Sequence, residues 1–188
     1  MRIARYFTPR FAFSFIRSIL LKLRYGNKIK INPFKVFIDE GVRINIGPEG
    51  KVVFSTKAGR IYIGRTCDLG ASQGGILTIS GGVFLNKGCT IEARKQVYIG
   101  PNTMFGPYVG AFDNDHGFDQ NGTSFRLQPH KCEAIHIGAN VWIGSGAFIV
   151  KGSCIGNSTV VGANSLVSRK LEDSSLYAGN PAKLVRKL

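Results

Sequence analysis

The chain has 188 residues, 44% of them hydrophobic, which suits one domain with a continuous core. Its formal net charge of +14 is uneven: residues 1–60 hold 13 Lys/Arg against Asp39, Glu40 and Glu49, which leaves only +4 for the rest. Four cysteines (67, 89, 132, 154) show no CxxC spacing and no metal-like pairing with histidine, and with an apolar start interrupted by Arg5, Arg10, Arg17 and Lys22 neither a membrane span nor a signal peptide is expected.

Residues 1–27 read as a basic amphipathic segment. Within it Phe11–Arg24 is predicted to be a helix whose apolar stripe is Ala12, Phe15, Ile16, Ile19, Leu20 and Leu23, with Ser14, Arg17, Ser18 and Lys22 opposite. The stripe either packs on the rest of the chain or a neighbouring subunit, or lies in a membrane interface through residues 1–25. The positive charge of this end is either a solvated face or a site for an anionic partner: membrane surface, nucleic acid or anionic substrate. Gly26-Asn27 ends the helix, and Lys28–Val53 brings short alternating strands with turns at Pro33 and Gly47-Pro48.

From Ile135 to Lys170 the sequence falls into six consecutive hexads, IHIGAN, VWIGSG, AFIVKG, SCIGNS, TVVGAN and SLVSRK. The third place is always aliphatic (Ile137, Ile143, Ile149, Ile155, Val161, Val167), and the first is small or β-branched. A period of six is neither that of a helix nor that of an alternating strand. It fits a parallel β-helix in which each short strand points one aliphatic residue inward and then turns a tight corner. Gly138, Gly144, Gly156 and Gly162 are read as relief for the backbone at the bend. Upstream the period continues with interruptions, so that coils are expected to start near residues 46, 63, 79, 99, 137 and 155. The solenoid then runs from about Ile44 to Val167. One interruption is large: residues 112–134 leave the register, and a long loop on a rigid solenoid is where function is expected. Residues 171–188 read as a cap, a polar turn followed by a terminal strand or short helix.

That loop contains AFDNDHGFDQNG, with His116 among Asp113, Asp115 and Asp119. Carboxylates beside an imidazole orient it and keep it basic, which suits a general base near pH 7. An Asp-, Asn- and Gly-rich turn with one incidental His is the plainer alternative. His116, His130 and His136 would suffice in number for a three-His zinc site, but no H-x4-H pair is present and no metal is expected. All four cysteines are read as reduced thiols in a cytosolic protein, with a peripheral place on the inner face of the membrane left open.

The hexads, the loop histidine, the phrase IGANVWIGSGAFIVKGSCIGNSTVVGANSLVSR and the ending AGNPAKLVRKL resemble the hexapeptide-repeat acyltransferases over residues 60–188. The branch most resembled is the maltose/galactoside O-acetyltransferase type, with the similar acetyltransferases of surface-polysaccharide synthesis. The resemblance implies an all-β fold, a left-handed parallel β-helix over residues 28–188, a homotrimer with sites between subunits, and acetyl-CoA as co-substrate. It implies His116 as catalytic base and Asn86 beside the acceptor, and Asp113 and Asp115, clustered with His116, are expected to bind the acceptor too. On the CoA side it implies Ser145, Ala163, Ser168, Arg169, Lys183 and Arg186, the cations suiting CoA phosphates. Trp142 either walls the pantetheine channel or fills a subunit interface. The resemblance leaves no role for nucleic acid. This chain departs from the family in having Asp115-His116-Gly117 where Thr-His-Pro is usual, and Arg94 at an acidic acceptor-binding position. The expected reaction is O-acetylation of a sugar hydroxyl in surface-polysaccharide synthesis. A xenobiotic acetyltransferase, an N-acyltransferase on an amino sugar nucleotide and a non-enzymatic membrane-bound scaffold are the alternatives.

Overall fold

The computed structural model describes residues 8–120 and 122–188; Met1–Phe7 of the amphipathic segment and Asn121 of the loop lie outside the described residues. Among the described residues one α-helix, α1 (Pro9–Tyr25), precedes a left-handed parallel β-helix of about six coils. The strands form three faces, with seven, eight and six strands among the described residues. Each inward residue stacks on its equivalent in the next coil. On the first face the column is Phe54, Ile79, Ile99, Ile137, Ile155, Leu171. On the second it is Ile38, Ile63, Leu85, Phe105, Ile143, Val161, Tyr177. On the third it is Ile44, Leu69, Ile91, Ala111, Ile149, Val167. Nearly all are inaccessible to solvent, and burying each large aliphatic side chain contributes about 1.5–3 kcal/mol. The small first places of the hexads are also buried, and their hydroxyls bind carbonyls of neighbouring turns: Thr159 Oγ1 donates to Glu172 O at 2.7 Å, and Ser153 Oγ to Val167 O at 2.9 Å.

Three expectations about the solenoid change. Its first coil begins at Ile29, not near Ile44, because Ile29–Lys30 already pairs with Lys51–Ser55. Ile63 opens no coil; it belongs to the second face, and Phe54 holds the equivalent first-face place, displaced by the 3-10 turn Thr56–Ala58. The glycines after the inward residues also act differently. None of Gly138, Gly144, Gly156 and Gly162 has a positive φ; the left-handed corner residues come two places later, at Asn140, Gly146, Ser158 and Asn164. Gly144 is required by close stacking, since a Cβ there would lie 2.5 Å from Ala163 N.

The ends are closed differently. At the carboxyl end Ser175–Ala178 is the last second-face strand, and Lys183–Lys187 folds back antiparallel on it, so the cap is a hairpin and contains no helix. At the amino end α1 lies across the open edge of the first coil. Thr8 caps it, accepting the Phe11 N–H at 3.4 Å, and Gly26 ends it with φ 54°. Of the readings left open for the apolar stripe of α1, packing on the rest of this chain is overturned. Ser14 and Ser18 are fully buried, whereas Phe13, Ile16, Leu20 and Leu23 stand in solvent. The reason is the surface α1 covers, a strand edge with unpaired backbone groups. Ser14 Oγ accepts the Ile38 N–H at 2.7 Å, Arg17 Nη1 donates to Ile38 O at 3.2 Å and Tyr25 Oη to Ile44 O at 2.8 Å. Arg10 pairs at 2.7 Å with the buried Asp39. Burial works to raise the Asp39 carboxyl, but the Glu40 N–H, the Tyr62 hydroxyl and Arg10 outweigh it and hold it below its ordinary range.

Candidate active site

After the third-face strand Gly110–Phe112 the chain leaves the solenoid, returning at Ile135–Ile137 on the first face. The two limbs of this excursion pair antiparallel, Asn114 against Cys132 and Asp115 against Lys131. One step further the same register sets His116 opposite His130, and their ring centroids are 4.1 Å apart. The Gly117 N–H continues the ladder by donating to Pro129 O at 3.0 Å. Buried Gln128 braces the tip: its Nε2 donates to Asp119 O and Thr123 O, and its Oε1 accepts the Asp119 N–H. Backbone pairing therefore presents two imidazoles on an exposed loop.

The acidic residues around His116 have other partners. Asp113 is fully buried, and its carboxylate accepts the backbone N–H groups of Arg94, Lys95 and Gln96 at 2.7–2.8 Å. It fastens the corner from which the loop departs, so the expected contact with an acceptor is corrected: no face of it is open to one. Asp115 pairs with Lys151 at 2.9 Å, which holds the Lys151 ammonium above its ordinary range, and Asp119 pairs with Lys131 at 2.9 Å. The expectation that carboxylates orient His116 gives way to an imidazole neighbour.

His130 was not among the expected site residues. Its Nδ1 is buried without a partner among the described residues. Desolvation, then the positive charges of Arg94 and His116, push its pKa below the ordinary value, so it stays neutral near pH 7. Arg94 flanks this pair; its Nη1 donates to Gln73 Oε1 at 3.3 Å, and its Nε lies 3.8 Å from Glu92 Oε1 without a hydrogen bond. The signal in the sequence is the hairpin register: only if Asp115 faces Lys131 do the two histidines meet.

A second cluster of expected residues stands at another edge of the triangle, between the second and third faces. Successive coils place Gly64, Asn86, Gly106, Gly144 and Gly162 there, each N–H donating to the carbonyl before the next corner. Ser145 and Ala163 follow two of these glycines and are exposed, and Asn86 Oδ1 turns back to accept the Lys87 N–H at 2.8 Å. At the carboxyl end Ala178 covers Gly162 and pairs with Lys183, while Arg186 pairs with Leu176. The corner is a strip of small residues stacked coil on coil, here called the channel, with exposed cations at one end. Strand spacing of about 4.8 Å makes it roughly 19 Å from Asn86 to Ala178. Trp142, 53% exposed, lies beside it on the outward second face, in one row with Phe84 and Met104. Ser168 and Arg169 occupy the third-to-first corner instead, where Arg169 Nη2 ties down Ala182 O at 2.9 Å. Within one chain the loop of His116 and the channel of Asn86, Ser145 and Ala163 thus belong to different corners.

No protein-family model matches the sequence. The chain is 30% identical over 174 residues to a Saccharomyces cerevisiae protein provisionally named an acetyltransferase, covering 90% of this chain and 84% of the relative. It is 28% identical over 179 residues to an Escherichia coli K12 protein provisionally named a lipopolysaccharide biosynthesis O-acetyl transferase, covering 92% and 86%. Among solved structures it is similar to a Vibrio cholerae hexapeptide-repeat acetyltransferase complexed with acetyl-CoA, with 25% identity, a TM-score of 0.62, and coverage of 73% of this chain and 70% of that one. Similarity of this length, on a solenoid built from six-residue repeats, is kinship: the chain belongs to the hexapeptide-repeat acyltransferases.

Proposed function

We propose that this acyltransferase moves the acetyl group of acetyl-CoA to a sugar hydroxyl, in the building of a surface polysaccharide. The observation that carries the reading is the exposed His116, set by hairpin register against a histidine kept neutral. In the proposed reaction His116 takes the acceptor's hydroxyl proton as that oxygen attacks the thioester carbonyl. The C–S bond then breaks, and the proton held on the ring goes to the leaving CoA thiolate. Such general-base help is typically worth about 10²–10⁴-fold, with positioning supplying much of the remainder. A neutral His130 serves this role, because a charged neighbour would oppose protonation of His116. Asn86, Glu92 and Arg94 offer the acceptor polar groups, while Asp115 acts through Lys151 in holding the loop. Residues 112–134 are thereby the catalytic loop and residues 171–188 the cap of the acyltransferase domain 28–188, preceded by the segment 1–27.

The channel suits the thioester arm. Pantetheine runs past Ser145 and Ala163, with Trp142 as a wall and the phosphates toward Lys183 and Arg186. Ser168 and Arg169 line the same end from the next corner. Because the loop and the channel occupy different corners, a site assembled between copies joins them, and a homotrimer supplies it three times. The exposed row Phe84, Met104 and Trp142 is apolar surface such an assembly covers. The unpaired cysteines fit a reducing compartment such as the cytosol. The protein incubated with acetyl-CoA and a panel of sugars is expected to release free CoA thiol with at least one of them; release with none would overturn the reading. Lys183→Ala and Arg186→Ala are expected to weaken acetyl-CoA more than its dephospho form, and equal losses would place both side chains away from the 3′-phosphate.

A further inference from the structure

Helix α1 turns its polar face to the protein and its apolar face to solvent. Successive residues rotate by about 100°, which puts Phe13, Ile16, Ile19, Leu20 and Leu23 on one side. These side chains are 59%, 51%, 37%, 57% and 77% exposed. The ridge from Phe13 to Leu23 is about 15 Å long at 1.5 Å per residue. Beside its amino-terminal half Phe34, 61% exposed, packs on Phe15 with ring centroids 5.0 Å apart and widens the apolar surface. The inner face closes the first coil through Ser14, Arg17 and Tyr25, so the ridge cannot roll inward without opening that edge. No described helix is long and apolar enough to cross a membrane.

What covers such a ridge is set by the charge around it. Residues 1–38 contain no Asp or Glu. Among the described residues of this end Lys22, Arg24, Lys30 and Lys35 are exposed cations on and beside the helix, and Arg10, exposed over most of its length, also pairs with Asp39. Two copies meeting ridge to ridge would press like charge on like charge. The complementary partner is an extended surface with an anionic outer layer over an apolar interior. We propose that α1 lies in the headgroup region of an anionic lipid bilayer, its Phe, Ile and Leu side chains in the acyl boundary and its cations among lipid phosphates, and that it holds the solenoid end-on to the membrane.

The test floats the full-length protein with vesicles of phosphatidylcholine and phosphatidylglycerol, against vesicles of phosphatidylcholine alone, in low and high salt. The protein is expected to float with the anionic vesicles at low salt and to lose at least about tenfold of that binding at molar salt, where the screening length shrinks to about 3 Å. The double variant Ile16→Glu, Leu20→Glu keeps the inner contacts, so it is expected to keep the wild-type thermal melt and to lose flotation at least about tenfold. A Leu20→Trp variant is expected to show blue-shifted emission on adding anionic vesicles. Failure of the wild type to float, equal flotation on neutral vesicles, or undiminished flotation of the double variant would each overturn the proposal. So would a fall in solution mass of the double variant by light scattering without vesicles, which would assign the ridge to contact between copies.

Discussion

His116 and His130 lie ring against ring, and each has its own test. His116→Ala is expected to lower kcat by at least about a hundredfold while leaving acetyl-CoA affinity nearly intact; near-normal turnover would remove it from the reaction. His130 is a positioning residue whose folded pKa lies below its ordinary ~6.5. Its neutral form is favoured in the fold, so its stabilisation is present above pH ~6.5 and is lost as pH falls through the lower folded value. Hydrogen-exchange protection of residues 113–120 and 122–134 is therefore expected to weaken on mild acidification, and His130→Gln to remove that dependence. An unchanged pH profile in this variant would show that another group titrates. Asp113 acts otherwise: with three backbone N–H groups on its carboxylate, its loss leaves buried donors unpaired.

At the scale of elements, the inward column of the β-helix is legible in the hexads because every coil must present an aliphatic residue to the same interior. The interrupted amino-terminal coils are less legible, since corner insertions such as Thr56–Ala58 break the count by which a coil is recognised. Helix α1 is legible in existence and not in facing. A helical wheel assigns burial to the apolar side, but the surface beneath α1 is a strand edge whose N–H and C=O groups need polar partners more than the apolar stripe needs cover. The histidine pair is hidden for a related reason: residues 116 and 130 join only through the hairpin register. The facing of α1 has a measurable consequence. Ser14→Ala removes the partner of the buried Ile38 N–H and is expected to cost about 1–3 kcal/mol in urea unfolding. Leu20→Ser on the outer side is expected to change stability by no more than about 0.5 kcal/mol. The reverse order of effects would mean that the helix packs by its apolar side in solution.

At the scale of the whole molecule, the two halves of the proposed site stand at different edges of the triangular solenoid. The loop bearing His116 leaves between the third and first faces, and the channel of Asn86, Ser145 and Ala163 runs between the second and third. A trimer in which one subunit's loop meets the next subunit's channel makes activity a property of a pair of chains. Ser145→Trp fills the channel in one set of subunits, and His116→Ala removes the base in another. Each variant alone is expected to be inactive while keeping the wild-type melt and the mass of a trimer. When the two are unfolded together in equal amounts and refolded, a site works wherever an intact loop meets an intact channel, a combination expected at about one interface in four for random assembly. Activity of about a quarter of the wild-type value is the expected result, and it should be absent when the two variants are refolded apart and then mixed without exchange. No recovery after joint refolding, with mixed trimers verified by mass, would place the base and the channel in the same chain. A monomeric mass with full activity in the unmodified protein would remove the need for a second chain altogether.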